Sequence, residues 1–289
     1  MTQLTEFKTR HAHVIALSMD RNYISQAKQM LAGLRHHAKW KEDFLILSHD
    51  VPELELAWFE KRGVFIQRVP FYFENKHLPA VTFSRFILFQ NQIKCWKHVI
   101  FFDLDMLIRG DISALTNQTQ MTAVRGFLPT IADNFLREKN PILYDELSGK
   151  FDLTAQAFNG GMLSFPTSIV NDDLFDKAIE LTTKYLPISR FANQGLLNLL
   201  FYFNWKNISP IYNAYFPSYH EFGNLILENA RVIHFNGQVM KPWDITSVTY
   251  ANFYKEWERN LKLSDYINNF SENRLIQRAF EKLQLKIFN

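Results

Sequence analysis

Cysteine is nearly missing from this chain. Cys95 is the single one in 289 residues, which excludes an internal disulfide and a cysteine-built zinc site and is compatible with a reducing compartment. No stretch approaches the roughly 20 consecutive apolar residues of a membrane-crossing helix. The opening segment Met1–Lys8 lacks the apolar core of a signal peptide, so the expected location is cytoplasmic. Glycine and proline, 10 of each, never gather into a linker, and no repeat or low-complexity tract divides the chain into large domains. Charge of one sign is missing too. A formal net charge of +3 is too small to argue for nucleic acid, which calls for a concentrated basic stripe.

What is present suits a large core. The hydrophobic fraction is 47%, and aromatics reach 15% with 27 Phe, enough for one α/β domain or a domain with a small appendage. His13–Met19, Phe44–Leu47 and Val64–Val69 read as strands. Between them lie two amphipathic helices, the first carrying Tyr23, Ala27, Met30, Leu31 and Leu34 on one stripe, the second entered through Pro52. This β-α-β-α-β opening predicts a parallel sheet with helices on both faces. The loop after the first strand then lies at the ligand edge of the sheet. Asp20 and Tyr23 there can hold a nucleotide base by a hydrogen bond and by stacking; equally, Asp20 can cap the helix while Tyr23 opens its core face.

The most informative stretch is Val99–Ile108, an apolar strand running into Asp103-Leu104-Asp105. Side chains alternate in an extended chain, so the two carboxylates project to one side and Leu104 to the other. Carboxylates at the C-terminal end of a central strand lie where open α/β sheets bind ligands, and oxygen ligands suit magnesium or manganese. Two other readings stand beside this one: a solvated turn, and the D-x-D of haloacid-dehalogenase-like phosphatases. Further pieces follow in order: a helix over Thr82–Gln92 with Arg85, then a long Gly126–Ala157 stretch read as a loop over the site. Phe158-Asn159-Gly160-Gly161 reads as paired glycines before a strand, or as a tight turn. Phe191–Asn198 opens a helix with Asn193 as N-cap, Pro210–Asn213 forms a turn, and Val232–Trp243 carries His234 and Lys241 around a glycine loop.

Those pieces, in that order, resemble glycosyltransferase family 8, the glycogenin-like and lipopolysaccharide galactosyltransferase-like enzymes. The motifs that carry the resemblance are Asp103-Leu-Asp105, Phe158-Asn-Gly-Gly161, Asn193-Gln-Gly-Leu-Leu-Asn198, Tyr212-Asn213 and His234 to Trp243. It implies a GT-A nucleotide-diphospho-sugar transferase fold of the α/β class, with a mostly parallel sheet flanked by helices, over residues 1–243. Residues 244–289 would form a small helical C-terminal appendage. The resemblance further implies that Asp103, Asp105 and His234 hold manganese (or magnesium) against the diphosphate of a UDP-sugar, with Lys241 and the Gly237 N–H adding to charge stabilisation. Leu17, Ser18, Asp20 and Tyr23 would hold the base, and Leu104 would line the donor site. Arg85 would stand near sugar and diphosphate, and Asn159, Gly160, Asn193 and Gln194 around the donor sugar.

The implied reaction is transfer with retention, Gln194 being nearest the anomeric carbon as a stabiliser. The acceptor would be a glycan or lipid-linked glycan, such as a bacterial surface polysaccharide or lipooligosaccharide. Two departures from the family pattern stand out: Asn193 replaces an Asp, and the loop between Gly237 and Lys241 carries one extra residue. The Asn193 change also fits a weakly active or inactive UDP-sugar-binding protein. His11, His13, His36 and His37 read as surface or strand-edge histidines rather than a second metal site. Tyr250–Asn289 reads as amphipathic helices packed on the domain, with peripheral contact at the inner membrane face as the alternative.

Overall fold

The computed structural model describes residues 7–70, 80–216, 223–237, 241–244 and 251–267. The chain begins as β1 (His13–Asp20), α1 (Ile24–His36), β2 (Asp43–His49), α2 (Glu53–Glu60) and β3 (Phe65–Arg68). These three strands are parallel, and β4 (His98–Phe102) joins β1 on its other side, also parallel. The chain continues through β5 (Met106–Ile108), β6 (Met121–Thr130), α3 (Pro141–Lys150), β7 (Gln156–Pro166), α4 (Asp172–Tyr185), α5 (Asn193–Leu200) and β8 (Trp205–Asn207). It closes with β9 (Ala214–Tyr215), α6 (Gly223–Asn229), β10 (Val232–His234) and α7 (Ala251–Ser264).

Among the described residues the main sheet has the order β3-β2-β1-β4-β7-β6-β8, and a second, three-stranded sheet has the order β5-β10-β9. The main sheet is mostly parallel, as expected. Strand β7 runs against both of its neighbours. Strand alternation divides the core into two layers. Val14, Ala16, Val99 and Phe101 face α4, α5 and the 80–95 segment, while Ile15, Leu17, Ile100 and Phe102 face α1 and α2.

Three expectations need correction. The 80–95 segment is not an α-helix but two 3-10 runs, Ala80–Phe89 and Asn91–Cys95. In a 3-10 helix residues three apart eclipse one another, so Phe83, Phe86 and Phe89 all turn to the sheet. Phe89 meets Phe165 at 5.7 Å and Phe201 at 5.4 Å between ring centroids. Much of the phenylalanine surplus is spent in this layer. Gly160 and Gly161 lie inside β7, neither preceding a strand nor forming a turn. The Gly126–Ala157 stretch is no long loop: β6 runs on to Thr130, and α3 follows, capped by Asn140 accepting from the Leu143 N–H at 3.1 Å.

Helix α7 lies along α1. His37 Nε2 and Asn260 Oδ1 are 3.1 Å apart, and Arg109 forms a forked ion pair with Glu256, its shortest contact 2.6 Å. Residues 268–289, where much of the appendage was expected, lie outside the described residues. Among those described, no helix is long and apolar enough to cross a membrane.

The Phe89 contacts set a test of the core. Phe89→Ala is expected to cost about 3–5 kcal/mol in a denaturant titration, the range for truncating a fully buried Phe. Leu54→Ala, at a position 84% exposed, should stay within about 0.5 kcal/mol of the parent.

Candidate active site

The acidic pair occupies the crossover between the two sheets. The chain leaves β4 at Phe102 and enters β5 at Met106, so Asp103, Leu104 and Asp105 span the junction. The Asp103 N–H donates to the Gly161 carbonyl at 2.8 Å, tying the junction to β7. The Phe235 N–H donates to the Asp105 carbonyl at 2.9 Å, tying it to the chain just after β10. Because β10 pairs with β5, with His234 opposite Met106, the imidazole lands beside Asp105. One ligand atom each from Asp103, Asp105 and His234 lies within 4.8 Å of the others. Two carboxylate oxygens and an imidazole nitrogen make a donor set for a divalent ion such as manganese.

Each carboxylate also has a cation. Arg85 sends Nη2 to Asp103 Oδ1 at 2.6 Å and Nη1 to the Gly160 carbonyl at 2.6 Å, with its guanidinium 4.3 Å over the Phe101 ring. Lys241 donates to Asp105 Oδ2 at 2.7 Å and to the Phe235 carbonyl at 2.5 Å. His234 Nε2 stands 3.2 Å from Asp105 Oδ1, and the Asp105 side chain is only 17% exposed. Burial pushes the Asp105 carboxyl up, but the facing His234 and Lys241 outweigh it and hold the group well below the usual carboxylate range.

Gly161 is required by this packing. A Cβ there would collide with His234 Cε1 and lie 2.9 Å from Nδ1, so the ring rests directly on the β7 backbone. Its neighbour Asn159 is 7% exposed; its Nδ2 donates to Gln194 Oε1 at 3.0 Å.

A cleft of about 520 Å³ opens over these groups, and Ser18, Tyr23, Arg85, Asp103, Leu104 and Asp105 line it. Asn159, Gly160, Asn193, Gln194, His234 and Gly237 line the rest of the expected site. Lys241 joins through Asp105. Tyr23 is braced edge-on by Trp243, 6.3 Å between centroids. Two expected base contacts do not reach the cleft. Leu17 is sealed in the core, because its strand position points it into the α1 layer. Asp20 turns back to accept the Asn22 N–H at 2.8 Å, closing the turn before α1.

Asn193 is not an N-cap. Ala192 precedes the helix with φ +47°, an unfavourable region for a residue with a Cβ. Asn193 instead donates its amide to the Thr82 carbonyl. An aspartate there could not donate, so the Asn in place of the family Asp matches a local acceptor. Sequence reasoning missed Asn134, which accepts from Gln194 Nε2 at 2.9 Å, and Phe127, which lines the cleft mouth at 46% exposed. Neither sits in a periodic pattern or a motif that marks it.

The two-sheet fold with its cleft at the β4 end is that of GT-A nucleotide-sugar transferases. Residues 14–247 match glycosyl transferase family 8, and the chain belongs to that family. It is 26% identical over 227 residues to glycosyltransferase GlyB of Streptococcus pneumoniae serotype 4 (strain ATCC BAA-334 / TIGR4), an alignment covering 74% of this chain and 50% of GlyB. The chain thus spans about half the length of that relative. It is 20% identical over 258 residues to galactinol synthase 4 of Arabidopsis thaliana, covering 82% of this chain and 75% of the synthase. Among solved structures, galactosyltransferase LgtC in complex with donor and acceptor sugar analogs superposes with a TM-score of 0.61 at 18% identity, over 86% of this chain and 95% of that one. That likeness shows the shared fold.

Two tests follow from the geometry. Gly161→Ala is expected to displace the His234 ring and cost about 1–3 kcal/mol in a denaturant titration, the range for overpacking a close-packed site. A carboxylate with a depressed folded-state pKa adds stability above its ordinary pKa and loses it as pH falls toward the folded-state value. Asp105→Asn should therefore lower stability at pH 7, and its denaturation midpoint should converge on the parent's as pH drops below about 4.

Proposed function

We propose that this chain is a metal-dependent, retaining glycosyltransferase that moves a hexose or N-acetylhexosamine from UDP to a glycan acceptor. A surface polysaccharide or lipooligosaccharide under construction is the acceptor we favour. One observation carries the reading. Asp103, Asp105 and His234 converge at the β4 end in one cleft that Tyr23, Ser18, Asn193 and Gln194 also line. Such a cleft offers an aromatic ring to a nucleoside, a metal-ligand set to a diphosphate and amides to a sugar.

The ligand set suits manganese or magnesium, and Lys241 already shows a cation seated on Asp105. Such an ion supplies Lewis acidity at the diphosphate as the sugar–phosphate bond breaks. The protein's own groups add to this. Arg85 keeps Asp103 oriented and places a buried positive charge beside the diphosphate position. Lys241 supplies a second positive charge, and the Gly237 N–H, in a left-handed turn at φ +70°, a neutral donor. Fixed donors that face developing negative charge lower the barrier without reorganising. Asn159, Asn193 and Gln194 hold sugar hydroxyls, and Gln194 carries the oxygen we place nearest the anomeric carbon.

We assign the transferase to residues 1–243 and read residues 244–289 as an appendage, supported by the packing of α7 on α1. Membership of family 8 favours this chemistry over the phosphatase reading of the acidic pair.

The test is UDP release from a panel of UDP-sugars, with Mn²⁺ and with EDTA. Metal-dependent release from one donor is expected. Asp103→Asn or Asp105→Asn should cut it at least about a hundredfold, ~2.7 kcal/mol of barrier. Release unaffected by both substitutions would overturn the reading. UDP binding with no release from any donor, even with glycan acceptors added, would instead make the chain a binding protein.

A further inference from the structure

His234 is held by more than its place on β10. Its Nδ1 lies 2.8 Å from Asn213 Oδ1, and Asn213 Nδ2 donates to Asn159 Oδ1 at 3.0 Å. The same Asn159 oxygen accepts the Gly161 N–H at 2.8 Å. Asn159 Nδ2 then donates to Gln194 Oε1, Gln194 Nε2 donates to Asn134 Oδ1, and Asn134 Nδ2 donates to the Thr130 carbonyl at 3.1 Å. Asn213 and Asn134 are completely buried, and His234 is 3% exposed, so water offers no competing partners for them.

The direction of this line is fixed from both ends by backbone groups. The Gly161 N–H can only donate, so the Asn159 atom that meets it is the oxygen. The Thr130 carbonyl can only accept, so the Asn134 atom that meets it is the nitrogen. Working inward from either end assigns every amide the same way round. Asn159 Oδ1 as an acceptor requires Asn213 to present its NH₂ there, which turns the Asn213 oxygen toward His234. Nδ1 of the imidazole must therefore carry a proton, and Nε2 is the nitrogen left to face Asp105.

We propose that Asn213 is a positioning residue. Fixed by the buried amide line through Asn159, Gln194 and Asn134, it locks His234 with Nδ1–H donating to Asn213 and Nε2 directed at the acidic pair. The inference deepens the metal-site reading above. A ligating histidine needs its other nitrogen engaged to fix ring and tautomer, and here a neutral amide does this where a carboxylate would add charge. The same line passes through Gln194, so the proposed metal and sugar ends of the cleft share one set of orientations.

The test uses the full chain with ¹⁵N-labelled histidine, together with Mn²⁺ binding followed by EPR in the presence of UDP. The parent should show a hydrogen-bonded Nδ1–H correlation for His234. Asn213→Leu should lose that correlation and weaken Mn²⁺ at least about tenfold, within the range for removing such a partner. Asn213→Asp, whose carboxylate accepts the same N–H but cannot donate to Asn159 Oδ1, should keep the correlation. It also serves as the folded comparison if the leucine variant is unstable. An intact correlation or unchanged Mn²⁺ affinity in Asn213→Leu would overturn the proposal, as would loss of the correlation in Asn213→Asp. If the parent takes up no Mn²⁺, the metal reading fails, while the Nδ1–H correlation still decides the role of Asn213.

Discussion

Two carboxylates placed where the chain passes from one sheet into another constrain most of this structure. Each is partly withdrawn from water, and a carboxylate so placed is costly unless charge and hydrogen bonds compensate it. Arg85 reaches Asp103 from the 3-10 segment, and Lys241 and His234 reach Asp105 from the other end of the chain. The 3-10 segment, β7, β10 and the residues after it are thus bound to one junction three residues long.

The charge count bears on the proposed diphosphate site. Asp103 and Asp105 are matched by Arg85 and Lys241, leaving a nearly neutral nest with an imidazole facing it. A divalent cation and a doubly charged diphosphate would enter as a further neutral pair, leaving that balance intact. In a partly desolvated cleft such matching counts for more than at an open surface, where solvent screens it.

Amides where carboxylates would also fit give the Asn193–Gln194 part of the cleft a different character. Asn193 donates to Thr82, and Gln194 is gripped from both sides by Asn159 and Asn134. Directional neutral donors and acceptors dominate there, with formal charge kept at the Asp103–Asp105 junction. This division keeps the formal charge of the acidic pair and its cations apart from the amide lining.

Local pattern carried the reading of this chain a long way. The alternation of strands and amphipathic helices from His13 to Val69 marked the parallel half of the sheet. The apolar run ending at Asp103 and Asp105 marked the site, and motif order placed His234 and Lys241 beside it. Local pattern failed where neighbours distant in sequence set the outcome. Phe83, Phe86 and Phe89 suit an α-helix until the sheet demands all three on one face. Gly160 and Gly161 look like a turn until the His234 ring is laid on β7. Leu17 and Asp20 follow the strand to the ligand edge, yet one points into the core and the other closes its own turn. Lys241 meets Asp105 across 136 residues and Asn213 meets Asn159 across 54. Periodicity reports which face of an element is apolar, a property of neighbours in sequence. Which amide meets which, and which ring rests on which glycine, depends on side chains that only packing brings together.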